Sequence, residues 1–143
     1  MNLRHKLLNN HIIAVTLGVI YLWFGMLKFF PGLSPAEELA QNTILALTFN
    51  QIPSNVAIVL LAIWETALGL LFIMNLYRPL TIRLAYIHLA FTFTPFLLFY
   101  DLTFADPPFG FSLLGQYIAK NIVFLAALIT LEKVARTKSN HQE

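Results

Sequence analysis

Glu65 interrupts an apolar run that extends from Val56 to Met74. A charge at the centre of a lipid bilayer costs roughly 2.5–3.5 kcal/mol on insertion scales, so this carboxylate is expected to face partners inside a helix bundle. Lys28, His88 and Lys120 lie in or at the edge of three other apolar runs. A carboxylate and an imidazole can exchange protons, and ammonium groups attract oxyanions. These four residues predict a polar pocket, with Glu65 and His88 exchanging a proton and the lysines binding a ligand oxygen.

The depths of these side chains follow from the helical rise of 1.5 Å per residue. Counted from the outer ends of their runs, Lys28 lies roughly 3 Å deep, Lys120 roughly 10 Å and Glu65 roughly 16 Å. His88 lies roughly 12 Å from the inner side of a core about 30 Å thick. Because Lys120 is nearer to Glu65 in depth, we expect these two to pair directly, with Lys28 reaching Glu65 only through water or a ligand.

Helical spacing adds further polar residues to the predicted ligand-binding face. They are Tyr21, Thr92, Gln116 and Asn121. Pro95 removes a backbone hydrogen bond one turn after Thr92 and is expected to kink that helix. An alternative remains open, in which a Glu65–Lys120 pair only locks helices together, since buried polar contacts in membranes contribute about 0.6 kcal/mol each.

The composition indicates an integral membrane protein. Hydrophobic residues make up 58% of the 143 positions and charged residues 11%, against roughly 25% charged residues in soluble domains. A membrane-spanning helix needs about 20 apolar residues, and four runs have that length. They are residues 12–30, 56–74, 80–100 and 113–131. The prediction is one all-α membrane domain over residues 1–143, a bundle of four transmembrane helices running up-down-up-down.

The distribution of basic residues predicts the orientation. Seven of the nine Lys and Arg residues fall on one side if the spans alternate in direction, namely Arg4, Lys6, Arg78, Arg83, Lys133, Arg136 and Lys138. By the positive-inside rule, both termini are expected in the cytoplasm. The first run is longer than the 7–15 residues of a signal-peptide core, and it is expected to remain as the first span. The net charge of +2 reflects this asymmetry, and no nucleic-acid binding is expected.

The first outer connection contains a helix signal. Ser34 as N-cap, Pro35 at the first helical position and Glu37 form a capping box. We predict a short amphipathic helix over residues 35–48, lying as a lid over the bundle mouth or, in the alternative that stays open, only sealing the bundle. The second outer connection, residues 101–112, contains Asp106, Pro107, Pro108 and Gly110, which break any helix and predict an ordered or mobile loop, a candidate second part of the lid.

The cysteine and histidine content limits the available chemistry. The chain has no cysteine, so thiol, disulfide and Cys-type metal chemistry are excluded within it. Of four histidines, only His88 lies deep in a span, and one histidine does not make a typical metal or haem site. We predict no metal site, and any redox role requires a bound cofactor or a partner.

Several motifs resemble the DoxX family of small bacterial membrane proteins. They lie at residues 24–29 (Phe-Gly-Met-Leu-Lys-Phe), at Trp64-Glu65-Thr66 with Gly69, at residues 115–121 (Gly-Gln-Tyr-Ile-Ala-Lys-Asn) and at residues 31–37. The resemblance covers nearly the whole chain. It implies a four-helix protein of the bacterial inner membrane, related to the small subunit of a thiosulfate:quinone oxidoreductase. Matched by position, Lys28, Glu65, Lys120 and Asn121 occupy the family's recurrent polar positions.

The leading hypothesis is a membrane subunit that binds a quinone, or a similar amphipathic or anionic molecule, in an outward-facing pocket and works with a redox partner protein. The chain is not expected to catalyse a reaction alone. One alternative is a small anion or proton carrier, in which a homo-oligomer supplies the missing helices. Another is a non-catalytic assembly protein that holds a partner in the lipid bilayer.

Overall fold

A computed structural model describes residues 3–106 and 108–139 of the chain. Within these residues, four helical stretches are long and apolar enough to cross a membrane, namely Asn10–Leu27, Ser54–Ile73, Arg78–Leu98 and Leu113–Ala135. The predicted membrane-length helices are thereby confirmed, with bounds that differ by a few residues.

The elements follow one another in a simple order. The helices are α1 (Leu3–Leu27), α2 (Glu37–Leu47), α3 (Ser54–Ile73), α4 (Arg78–Phe93), α5 (Pro95–Leu98), α6 (Tyr100–Thr103), α7 (Leu113–Ala119) and α8 (Ile122–Ser139). Two short antiparallel strands, β1 (Phe104–Asp106) and β2 (Gly110–Phe111), form a hairpin between α6 and α7. This hairpin was not predicted, since only loop signals were identified in the second connection.

The first span ends at Leu27 rather than at residue 30. The amides of Lys28, Phe29 and Phe30 each bond the carbonyl three residues earlier, as in a tightened turn. Pro31 follows directly and disfavours helical geometry at the residue before it. Lys28 therefore lies in a turn just beyond the helix end.

The closest helix pair in the bundle is α1 with α3, which run antiparallel. A side chain at Gly25 would meet the backbone of Thr66 at 2.7 Å and Cβ of Glu65 at 2.9 Å, and one at Gly69 would meet the Leu22 amide nitrogen at 2.5 Å. Small residues at such positions let two membrane helices approach backbone to backbone. The contact sets the end of α1 at the level of Glu65.

The buried core lies below this contact, between α1, α3, α4 and α8. Its fully or nearly buried members are Ala14, Leu17, Tyr21, Leu68, Phe72, Ile82, Ala85, Leu89, Leu128 and Leu131. Many large apolar side chains outside this core remain exposed on the helix surfaces, as expected for helices that present their outer faces to lipid.

Helix α2 begins at Glu37, two residues later than predicted, and the capping box at Ser34 is wrong. Ala36 occupies the N-cap position with a left-handed φ of 55° and makes no side-chain cap. The Glu37 carboxylate instead accepts a hydrogen bond from the Gly32 amide at 3.0 Å. The acidic side chain therefore stabilises the preceding loop, and Ser34 donates to the neighbouring Pro35 carbonyl.

Two of the membrane-length helices are interrupted. At Pro95, where a kink was predicted, the helix divides, with α4 ending at Phe93 and α5 beginning at Pro95. The fourth span also breaks, at Lys120 and Asn121, where the Asn121 amide bonds the Ile118 carbonyl at 3.0 Å and the Val123 amide bonds the Lys120 carbonyl at 3.1 Å. This second break was not predicted, because no proline or glycine marks it.

The close approach of α1 and α3 gives a first prediction. We expect Gly69→Ala to lower the free energy of unfolding by about 1–3 kcal/mol, because the new methyl group overpacks the contact with Leu22. Ala67→Leu adds bulk at an exposed position of the same helix and should change this free energy by less than about 0.5 kcal/mol. Unfolding in mixed detergent micelles measures both. Equal stability of the two variants would contradict the packing described here.

Candidate functional site

The Glu65 carboxylate lies at the centre of a polar network that joins three helices. One oxygen, Oε2, accepts a hydrogen bond from Lys28 Nζ at 2.6 Å, and the other, Oε1, lies 3.0 Å from His88 Nε2. The Glu65 and Lys28 side chains are both only 9% exposed. The predicted charge at the centre of the bundle thus has a donor for each of its oxygens.

His88 continues the network to the phenol of Tyr21. The Tyr21 hydroxyl lies 3.2 Å from His88 Nδ1, and the two rings meet edge to face at 5.3 Å between centroids. An ionised carboxylate only accepts hydrogen bonds, so with Glu65 ionised the proton on His88 is at Nε2. In a neutral imidazole, Nδ1 is then the acceptor and Tyr21 the donor. Lys28, Glu65, His88 and Tyr21 therefore form one continuous hydrogen-bonded chain.

The pairing of the two lysines is the reverse of the prediction. Lys28 binds Glu65 directly, whereas no ion pair of Lys120 occurs among the described residues. The predicted depths of the side chains depend on the assumption that the outer ends of all spans lie at one level. This assumption is wrong. Because α1 ends opposite Glu65, through the contact at Gly25, Lys28 is brought to the level of the carboxylate.

Lys120 contacts aromatic rings in place of a carboxylate. Its ammonium lies 4.0 Å from the ring centroid of Tyr117 and 5.6 Å from that of Phe24. Cation–π contacts of exposed lysines contribute about 0.5–1 kcal/mol. Asn121, the next residue, lies with Lys120 at the break between α7 and α8. The side chains of Lys120 and Asn121 are therefore two neighbouring polar groups at this break.

A cavity of about 860 Å³ lies above the network. Its wall on α3 runs from Ala57 through Leu60 and Leu61 to Trp64 and Glu65, so an apolar stretch of about two turns leads to the carboxylate. Helix α2 covers this stretch with the side chains of Leu39, Ala40, Thr43, Ile44 and Leu47. The cavity therefore combines apolar walls and a polar end.

Most predicted site residues meet in this cavity. Its wall includes Tyr21, Lys28, Glu65, His88, Thr92, Lys120 and Asn121. Thr92 contributes little polarity, since its hydroxyl donates to the His88 carbonyl at 2.9 Å. Gln116 is the exception: it lies outside the wall, and its amide donates to the Phe111 carbonyl at 3.4 Å. The hairpin strand β2, absent from the prediction, provides that acceptor.

Sequence reasoning missed several wall residues. Trp64 packs against His88 with 6.5 Å between ring centroids, and its indole nitrogen is buried without a partner among the described residues. Phe24 and Phe124 complete the wall beside Lys120 and Tyr21. Phe24 directly precedes Gly25 in the sequence, and Trp64 directly precedes Glu65. This adjacency is the one sequence signal that could have identified Phe24 and Trp64.

Neither a metal site nor a known relative provides further guidance. In the described part of the chain, no three His, Asp or Glu side chains cluster closely enough to hold a metal ion. No model of a known protein family matches the chain, and neither does any curated protein or solved structure.

The paired lysine gives a second prediction. Lys28→Met removes the ammonium from a buried carboxylate, so we expect a loss of about 3 kcal/mol or more in the free energy of unfolding. The double variant Lys28→Met/Glu65→Gln removes both charges and should recover at least half of this loss. Lys120→Met should cost less than about 1 kcal/mol, since it removes only cation–π contacts.

A double-mutant cycle in mixed micelles measures these differences, with far-UV circular dichroism to verify helix content. An equal loss from Lys120→Met and Lys28→Met, or no recovery in the double variant, would refute the assignment of Lys28 as the partner of Glu65.

Proposed function

We propose that this multi-pass membrane protein binds a quinone, or a similar small amphipathic molecule, in the cavity above Glu65 and works with a redox partner protein. The observation that carries the proposal is the cavity itself, with about 860 Å³ of volume, apolar walls and a cluster of proton-exchanging groups at one end. Small-molecule sites have such volumes and such a small number of convergent polar groups. A molecule with an apolar chain and an oxygen-bearing head matches the apolar walls and the polar end of this cavity.

The network supplies the proton chemistry that a quinone requires. Reduction of a quinone to a quinol takes up two electrons and two protons. In this proposal the partner protein supplies the two electrons, and Glu65 and His88 take up two protons from the aqueous phase and pass them to the quinone oxygens. The resemblance to the DoxX family supports the same function, since it implies a relation to the membrane subunit of a quinone-linked oxidoreductase.

The hydrogen-bonded chain favours a second candidate, a proton carrier. Lys28, Glu65, His88 and Tyr21 are linked without a gap, and a proton can move along such a chain. The apolar wall under α2 has no role in this second function. Proton flux into liposomes that contain the protein and a pH-sensitive dye, but no quinone, would distinguish the carrier from the quinone-binding subunit.

The third prediction concerns copurifying quinone. We expect protein purified in mild detergent from a quinone-containing bacterial membrane to release a stoichiometric quinone on solvent extraction, identified by mass spectrometry. Glu65→Gln, which alters the polar end, should reduce this amount about tenfold. Glu132→Gln is the matched control, because it makes the same change at a residue that bonds Tyr86 outside the cavity wall, and it should retain the quinone.

Extraction without any quinone, from wild-type protein that is folded by circular dichroism, would contradict this function. The carrier and an assembly role in the membrane would then be the remaining candidates.

We further propose that the four spans run up-down-up-down in the bacterial inner membrane with both termini in the cytoplasm. The basic residues Arg78, Arg83 and Lys133 near one end of the bundle support this orientation. The α3–α4 connection would then face the cytoplasm, and the β1–β2 hairpin would face outward.

The orientation gives a fourth prediction. The chain has no cysteine, so single cysteines can report exposure. Phe109→Cys, at a hairpin residue that is 88% exposed, should react with a membrane-impermeant maleimide in intact spheroplasts. Leu76→Cys, in the α3–α4 connection and 41% exposed, should react only after lysis. The reverse labelling pattern would indicate the opposite orientation. Labelling of both cysteines in intact spheroplasts would refute the alternating direction of the spans.

A further inference from the structure

The two lysines of the cavity differ in their charge balance. Lys28 is neutralised by Glu65 at 2.6 Å, and Glu65 also bonds His88. The Lys120 ammonium contacts only aromatic rings among the interactions that the described residues make with it. A cation in a membrane-spanning segment without a counter-ion is costly, and such residues normally have a partner. The cavity therefore carries a positive charge that no described carboxylate balances.

The helix break places a second donor beside this charge. Lys120 and Asn121 lie between α7 and α8, and both line the cavity. Irregular backbone at membrane depth is tolerated where it lines a cavity or is buried in protein. Here the backbone keeps helical geometry and is tightened by two i→i−3 hydrogen bonds at this point. The ammonium and the amide together can donate to both oxygens of one acidic group.

The apolar wall of the cavity limits the chemistry of the part of the ligand that lies away from Lys120 and Asn121. Helix α2 covers the cavity with Leu39, Ile44 and Leu47, opposite Leu60 and Leu61 of α3. No charged side chain of α2 belongs to this wall. A small inorganic anion would leave this surface without a partner, whereas an alkyl or isoprenoid chain would cover it.

We propose that the cavity binds an amphiphile with a single negative charge, whose carboxylate or ionised hydroxyl oxygen contacts Lys120 and Asn121 and whose apolar chain lies under α2. This assignment rests on the proposed function, since it concerns the same cavity, and it specifies the charge of the ligand. A neutral quinone would bind without balancing Lys120. An acidic quinone would bind more tightly because it forms a charge-assisted hydrogen bond with the Lys120 ammonium.

A matched pair of quinones tests the charge. One is a hydroxynaphthoquinone with an alkyl chain, which is ionised at neutral pH, and the other is its neutral methyl ether. Trp64 lies in the cavity wall and reports binding when a quinone quenches its fluorescence. The chain has two tryptophans, and the other, Trp23, is 66% exposed. Trp23→Phe therefore provides a background with one reporter, measured in nanodiscs of zwitterionic lipid.

We expect the ionised quinone to bind about tenfold or more tightly than the ether, which is the effect of a charge-assisted hydrogen bond. Lys120→Met should reduce this ratio to about one. Lys120→Arg should preserve the preference and verify that the site still folds. Lys133→Met is the matched control, a lysine of α8 outside the cavity wall, and should leave the ratio unchanged.

Four results would overturn this assignment, the last of them together with the proposed function. Equal affinity of the two quinones for the wild type would refute the charge preference while leaving the proposed quinone binding intact. A preference that persists in Lys120→Met would refute the role of Lys120. Displacement of the ionised quinone by similar concentrations of phosphatidylglycerol would identify a lipid headgroup as the ligand. Failure of both quinones to bind the wild type would instead overturn the proposed function as well.

Discussion

The Glu65 carboxylate can remain inside the bundle only because each of its oxygens has a donor. Lys28 supplies one from the end of α1, and His88 supplies the other from α4. Removing a buried charge from its partner costs several kcal/mol, so this interaction fixes α1 and α4 relative to α3. The polar network is therefore part of the architecture, whatever ligand the cavity binds. The alternative of a Glu65–Lys120 lock is wrong in its partner, because Lys28 occupies the place expected for Lys120.

The same contact accounts for the cavity. Gly25 lets α1 pack directly against Glu65 and Thr66, and α1 ends two residues later. The first ten residues of α3 therefore extend about 15 Å beyond the end of α1. Helix α2 packs on this part of α3 and covers it, and the space that remains below α2 is the cavity. A close helix contact with an early helix end thus produces an open space next to the buried charge.

The membrane helices were predictable because their signal is local. A run of about 20 apolar residues must span the bilayer, and buried polar residues within it must face the bundle. Glu65, His88, Tyr21, Lys28, Lys120 and Asn121 were identified in this way. The relative heights of the helices were not predictable, because they depend on contacts between distant residues such as Gly69 and Leu22. The error in height reversed the two lysines. Gln116 was assigned to the cavity from its helical spacing to Lys120, whereas its amide donates to the Phe111 carbonyl of the hairpin.

Local signals also failed where tertiary structure provides the partner. Ser34 and Glu37 match a capping box in sequence, yet the Glu37 carboxylate accepts from Gly32 in the preceding loop. The break at Lys120 and Asn121 lacks the proline that marks the one at Pro95. The Lys120 ammonium at this break lies over the ring of Tyr117 and over that of Phe24 from α1, and the sequence of the fourth span does not show the second contact.

The different contacts of the two lysines have a consequence for binding. Moving the Lys28 ammonium toward a ligand would leave the Glu65 carboxylate without it, which opposes such a movement. Moving the Lys120 ammonium would cost only its contacts with the two rings, about 0.5–1 kcal/mol for an exposed lysine. A charge-assisted hydrogen bond to a ligand exceeds that cost. Lys120 is therefore the cation that can respond to a ligand, while Lys28 maintains the site that the ligand enters.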